Sequence, residues 1–385
     1  MLALRLTRGT HPLVLTRRLL VAAASAGVGF LLLCTLGHAL GHPEQSSAST
    51  LRLLWCVLPL AATVQFAVAV ARTDPSTRPR PGLSAIGLGP ARLALLAAAS
   101  TAVTCALGSA IALLLYLHLR GDLTGLPFDG AAAGLLAADR PVPLAAVLTL
   151  LALVPVTAAA AAALALRPRT APPPEDSEGG DETMPSGLPW GVALVAIGLA
   201  VETYAGRGGG GDGLPLPGRF DGSPAAVLAG WVLTAIGLAT AGPGLVHGCG
   251  RLLQAVRPGA VRLLAGRVLT AEARRVGRPL GVVCAVLSGM IAATTLYASD
   301  TGSDAFGPLT GLGATLILAC TCATLLTTAL ESRQSRAPVT ESLLLVGAPP
   351  ATLRAAALLR TGALLALFLP LTWLVAALAA LPLKG

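Results

Sequence analysis

The feature that most constrains this chain is a series of long apolar runs without a formal charge, among them Leu144–Leu166 and Leu309–Leu330. About 20 residues rising 1.5 Å each cross a hydrocarbon core, so such runs are long enough to span a bilayer. The bilayer interior offers no water to the backbone, and a helix satisfies its own amides within one segment. Ala, Leu and Val dominate the runs and period-2 alternation is absent, which argues against a β-barrel. Only 12% of residues are charged and 54% are hydrophobic, against roughly a quarter charged in a soluble domain. The expected fold is an all-α polytopic membrane protein.

Nine spans are read, at approximately 19–40, 51–71, 92–118, 144–166, 188–204, 225–247, 279–298, 309–330 and 355–382. The connecting segments alternate in charge. One set holds 20 arginines, from Arg5 and Arg8 through the run Arg251 to Arg278, to Arg333, Arg336 and Arg354. The other holds six basic residues: Arg52, Arg120, Arg140, Arg207, Arg219 and Lys384. Arg360 is left inside the last span, where it can snorkel to the inner surface. Positive charge stays cytoplasmic, so a multi-pass protein of the cell membrane with its N-terminus inside is expected, and an odd span count puts the C-terminus outside. Tyr116, Tyr204 and Tyr297 fall at outer span ends, as interfacial aromatics should. The net charge of +9 is explained by this asymmetry rather than by nucleic acid. Thr16-Arg17-Arg18 precedes the first span, which is long for a cleaved signal and reads as a signal anchor.

The proposed organisation is a first transmembrane half (1–166), an acidic Pro/Gly-rich cytoplasmic linker (167–187), a connecting helix pair (188–250), and a second half (251–385) with an N-terminal elbow helix. The linker, acidic from Ala171 to Glu182, has the composition of a disordered segment. The outer loop 206–224 is glycine-rich, with no sign of a folded domain.

The halves contain a repeat. Leu83, Gly87, Pro90, Ala91 and Leu93 match Leu343, Gly347, Pro350, Ala351 and Leu353, each set lying between two apolar spans. Arg8, Pro12 and Leu13 match Arg275, Pro279 and Leu280 ahead of spans one and seven. Six spans separate the copies, an even number, so a parallel repeat is expected.

Histidine, cysteine and acidic residues suggest little chemistry. His38 and His42 are four apart with Glu44 nearby, a spacing open to metal or to a plain interfacial role. The seven cysteines fall mostly inside apolar runs, where they act as small hydrophobes. Only Glu202 among the acidic residues falls inside a span, near its outer end beside Tyr204. It reads as an interface residue, so an ion-coupled carrier, which needs buried carboxylates or histidines, is disfavoured. No catalytic, cofactor-binding or metal residues are expected. A phosphate-binding loop ends Gly-Lys-Ser/Thr, whereas the only lysine is Lys384, followed by Gly385. The chain therefore encodes no nucleotide-binding domain of its own.

The polar segment Thr340-Glu341-Ser342, followed by Leu343 to Val346 and Gly347-Ala348, with a weaker copy at 83–89, resembles the FtsX-like permease family of ABC systems. The resemblance covers both halves. It implies a membrane-spanning permease subunit driven by a separate ABC ATPase, which would dock on short cytoplasmic helices after spans two and eight. Thr340, Glu341, Ser342, Gly347, Ser84 and Gly87 are the coupling residues it implies, with Leu343 to Leu345 turned to the membrane or neighbouring spans. Glu341 is the only charge in the helix and the residue expected to matter, Glu272 mattering less. The outer loops 42–50 and 299–308 are only about ten residues, too short for the large extracellular domain of some family members. Ten-span members also end with one helix more, so either the second half is shortened or the chain is truncated. Lipophilic or lipid-like cargo, contact with membrane lipids, and pairing as a homodimer or heterodimer are expected. The alternative is a membrane-embedded scaffold or regulator that moves nothing.

Overall fold

The computed structural model describes residues 12–73, 90–123, 130–134, 136–167, 187–207, 214–216, 220–223, 225–255, 259–297 and 308–380. The elements, in order, are α1 (Pro12–Gly41), a 3-10 turn (Pro43–Gln45), α2 (Ser46–Trp55), α3 (Val57–Thr73), α4 (Pro90–Arg120) and α5 (Leu144–Leu166). There follow α6 (Gly187–Arg207), β1 (Leu214–Leu216), β2 (Phe220–Ser223), α7 (Ala225–Ala255), α8 (Ala260–Tyr297), α9 (Pro308–Leu345) and α10 (Pro350–Ala380). Among the described residues, nine helices are long and apolar enough to cross a membrane, α2 and α3 together forming one of them. The chain is an all-α polytopic membrane protein. The glycine-rich loop expected to be featureless carries β1 and β2, paired as a two-stranded sheet.

The described residues fall into two compact units. The first takes α1 to α5 and the start of α9 through Cys320; the second takes α6, α7, α8, α9 from Thr321, and α10. In the first, α1 lies against α4 and α5, and α3 against α5 and α1. Leu33, Cys34, Ala112, Tyr116, Leu136, Val147 and Leu151 make its core. Hydroxyls tie the helices where no water competes: Ser25 donates to the Cys105 carbonyl at 2.8 Å and Ser109 to the Leu151 carbonyl at 3.1 Å. Such bonds between membrane helices contribute about 0.6 kcal/mol each. At Gly108 an added Cβ would run into the Ala22 carbonyl oxygen, so α1 and α4 touch backbone to backbone.

In the second unit α6, α7 and α8 pack as closely. A Cβ on Gly242 of α7 would run into the Gly277 carbonyl oxygen of α8, and one on Gly281 into that of Leu238. Small residues permit this approach, and in lipid the resulting dispersion contact replaces the hydrophobic effect as the source of helix association. The pair read as a connector, α6 and α7, thus packs with the second half. Leu238, Val246, Leu269, Ala273, Cys284, Phe368 and Val375 join α7, α8 and α10.

Some features of the repeat are visible in each unit. The aligned prolines Pro90 and Pro350 each open a helix of 31 residues, α4 and α10, the position where proline's missing N–H costs nothing. In one unit α1 packs on α4 and in the other α8 packs on α10, the first helix of each copy against its third. The second correspondence behaves differently: Pro12 opens α1, whereas Pro279 lies inside α8. Of the arginine-rich stretch from Arg251 to Arg278 expected as a separate elbow, residues 251–255 end α7, and residues 260–278 are continuous with span seven, α8 running unbroken for 38 residues.

Candidate coupling surface

The residues expected to meet a partner lie at the end of α9. This helix is 38 residues long, about 57 Å at 1.5 Å per residue. A hydrocarbon core takes up roughly 30 Å of that. Uncharged residues run from Leu309 to Leu330; polar ones follow from Glu331. The last turns, through Thr340-Glu341-Ser342, therefore extend beyond the apolar part. The expected short separate helix is instead the end of a long one. Its polar pattern starts a new segment in sequence, but nothing between Glu331 and Leu345 stops a helix. Pro338 removes the bond to the carbonyl four residues back and its ring crowds that carbonyl, yet the helix runs through it.

Two ion pairs hold the polar part of α9 against α8. Glu272 binds Arg336 through both Nε and Nη2, accepts from Ser332 Oγ at 2.7 Å, and Ser332 accepts from Arg336 Nη2 at 2.8 Å. One turn along, Arg275 Nη2 stands 3.8 Å from Glu331 Oε1. Glu272 and Arg336 are mostly buried, so Glu272 is a bracing residue between α8 and α9.

Beyond Arg336 the helix is largely exposed. Thr340 donates back to the Arg336 carbonyl at 3.0 Å and Ser342 to that of Val339 at 2.8 Å. Their hydroxyls are spent on the helix itself, leaving Glu341 as the polar group presented outward. Leu343 is half-buried, but Leu345 and Val346 are 84% and 87% exposed, so the leucines do not all turn to neighbouring spans. Gly347 ends the helix with φ +95°. Its N–H bonds the Leu344 carbonyl and that of Ala348 the Leu343 carbonyl, both at 3.0 Å. This is a Schellman closure, which needs a left-handed residue that glycine supplies without strain. Pro349 and Pro350 then forbid continuation, and α10 begins at once. The result is a tight helix-to-helix turn whose tip, Glu341 to Pro349, carries exposed apolar side chains beside one carboxylate. Ser84 and Gly87, the other implied coupling residues, lie outside the described residues, as does the acidic linker.

Comparison of the chain with protein-family models, curated proteins and solved structures finds no match.

Three sequence expectations are corrected elsewhere. Tyr116, expected at the interface, is 1% exposed. The connection after α4 folds back over it: Gly130 and Ala132 donate to the His118 and Leu119 carbonyls at 3.2 and 3.0 Å, and Leu136 is buried in the same core. Arg120, counted among loop charges, is buried there too. Its Nη2 donates to the Ala138 carbonyl at 3.4 Å and to that of Arg140, and its Nε stands 3.4 Å from Asp122. Glu202, expected beside Tyr204 at the interface, is 0% exposed and accepts from Thr234 Oγ1 at 3.3 Å across the α6–α7 contact. Its Oε2 has no hydrogen-bond partner among the described residues. Tyr204 is 85% exposed, because residues two apart on a helix point about 200° apart. The premise used against an ion-coupled carrier, that no carboxylate is buried in a span, therefore fails.

His38 and His42 stack with ring centroids 4.4 Å apart. Among the described residues no three His, Cys, Asp or Glu side chains gather as a metal site. None of the seven cysteines forms a disulfide, and five are buried.

Proposed function

We propose that the chain is the membrane-spanning permease subunit of an FtsX-like ABC-type system, driven by a separate ATPase that docks on the α9–α10 tip. The observation that carries this reading is the tip itself: a braced helix ending in exposed Leu345 and Val346 beside Glu341, on the arginine-rich side of the chain. An exposed apolar patch at the end of a helix that runs past its uncharged stretch is a surface a partner protein can cover. Within these residues the single lysine, Lys384, is followed by Gly385, so no phosphate-binding Lys-Ser/Thr pair is present and the energy comes from the partner. Cargo is lipophilic or lipid-like, matching the short outer connections, and the permease works as a homodimer or heterodimer in the cell membrane. Purification in mild detergent should bring down a nucleotide-hydrolysing subunit, while the isolated chain hydrolyses ATP only at background. Stoichiometric hydrolysis by the chain alone would refute the assignment.

The proposed orientation puts the N-terminus and the arginine-rich tip in the cytoplasm. In a cysteine-free background, a cysteine at Gly210 should label with an impermeant reagent on whole cells and one at Ser177 should not, both positions lying outside the described residues. Equal or reversed labelling would overturn the orientation.

One observation favours a second reading, an ion-coupled carrier: Glu202 is a buried carboxyl with an unpaired oxygen, and carboxyls inside spans mark ion pathways in such proteins. The same preparation separates the two, since a carrier of that kind purifies without an ATPase.

A further inference from the structure

The arginines of α8 divide between two faces. Arg275, with Glu272, is taken up by the ion pairs to α9. Arg267, Arg274 and Arg278 are spaced seven and four apart, which puts them on one face, and all three are exposed. Among the described residues no acidic side chain forms an ion pair with any of them. From Pro279 to Tyr297 the helix carries no charge, so Arg278 is the last basic residue before the apolar half. The same face continues into that half at spacings of four, three and four, through Val282, Ala285 and Gly289. The first two are half-buried, and a Cβ added at Gly289 would meet nothing within 4 Å. The face is thus a cationic ladder above an apolar track that is partly packed at Ala285 and open at Gly289.

We propose that this face of α8 binds an anionic phospholipid, its phosphate on Arg274 and Arg278 and an acyl chain along Val282, Ala285 and Gly289. The two arginines stand one helical turn, about 6 Å, apart. Guanidinium groups bind phosphate oxygens through paired, charge-assisted hydrogen bonds. Arg267, eleven residues and about 16 Å from Arg278, lies beyond that headgroup and adds attraction at longer range through the surface charge. A soluble anion satisfies the arginines and leaves the track empty; a zwitterionic lipid fills the track but brings a compensating cation to the arginines. An anionic lipid satisfies both. This assignment does not rest on the partner ATPase.

The test counts lipids retained by the purified full chain in detergent, by native mass spectrometry, titrating phosphatidylglycerol against phosphatidylcholine. The chain should retain phosphatidylglycerol preferentially. At about fivefold per arginine, the triple variant Arg267→Gln, Arg274→Gln, Arg278→Gln should weaken it roughly a hundredfold. Arg333→Gln, a single neutralisation off this face and so the match for Arg278→Gln alone, should leave it unchanged. Gly289→Leu places a branched side chain in the path of the acyl chain and should weaken retention with every arginine intact. If the triple variant does not fold, Arg278→Gln alone should still weaken retention about fivefold. The proposal is overturned if the arginine variants retain phosphatidylglycerol like the parent chain. It is equally overturned if Gly289→Leu has no effect, or if millimolar inorganic phosphate displaces the lipid, which would show a site for a soluble anion only.

Discussion

Glu341→Arg should leave the chain at its normal abundance in the membrane and strip most of the bound ATPase from the purified complex. The side chain is exposed near the end of α9 and forms no ion pair among the described residues. Replacements at such positions shift stability by about 0.5 kcal/mol or less. At a docking surface the same reversal puts like charges together and costs a few kcal/mol, a loss of roughly ten- to a few hundredfold in affinity. Leu345→Asp should act in the same direction through the apolar part of the tip, where a charge would have to be desolvated on docking. The measurement is the ratio of ATPase to permease after mild-detergent purification, beside a thermal unfolding curve of the permease. A full complement of ATPase on both variants would remove the tip as the docking surface and leave an ordinary interfacial helix.

Glu272→Arg should behave differently, destabilising the permease itself. Replacing the carboxylate leaves Arg336 facing a second cation, with Arg275 one turn away. Breaking a fully buried pair costs about 3–5 kcal/mol. Glu272 and Arg336 keep some exposure, so solvent screening brings the expected loss to about 2 kcal/mol. Arg336→Glu should cost a similar amount, and the double exchange should recover more than half of it, because the pair is restored with opposite polarity. Ser332, which donates to the carboxylate and accepts from the guanidinium, keeps the recovery from being complete. Thermal unfolding of the four proteins in detergent reads the coupling directly. Additive losses would mean that the pair does not brace α9 on α8. ATPase retention separates this effect from the first, since the tip residues are intact in all four proteins.

The repeat shows where sequence reading reached and where it stopped. Pro90 and Pro350 were legible as helix starts because proline acts on its own backbone. Pro279, aligned with Pro12, could not be placed the same way: whether a proline opens a helix or sits within one depends on what lies before it, and in α8 the preceding residues stay helical against α7. Thr340 to Val346 carried a local signal, Gly347 with two prolines behind it, that fixes the closing turn. That the segment continues α9 was obscured by its change to a polar pattern, although no residue from Glu331 to Leu345 ends the helix. What only the tertiary structure supplied is the bracing of Glu331, Ser332 and Arg336 by Glu272 and Arg275, some sixty residues earlier in the chain.

Span number and apolar length follow from the sequence by itself. Bilayer thickness is a fixed external ruler, and a run either has enough uncharged residues to match it or does not. The arginine asymmetry is equally local, a property of each connecting segment. Tertiary structure alone decided which side of each helix is buried. The spans are apolar all round, so no amphipathic stripe marks the packed face, and lipid and protein interior present nearly the same medium to a leucine. Glu202 and Tyr204, both plausible at an interface, were separated only by the presence of α7 on one side of α6. Tyr116 and Arg120 were buried only by the return of the chain over α4. The approach of Gly242 to Gly277 likewise belongs to two helices at once, and no property of either segment alone specifies it.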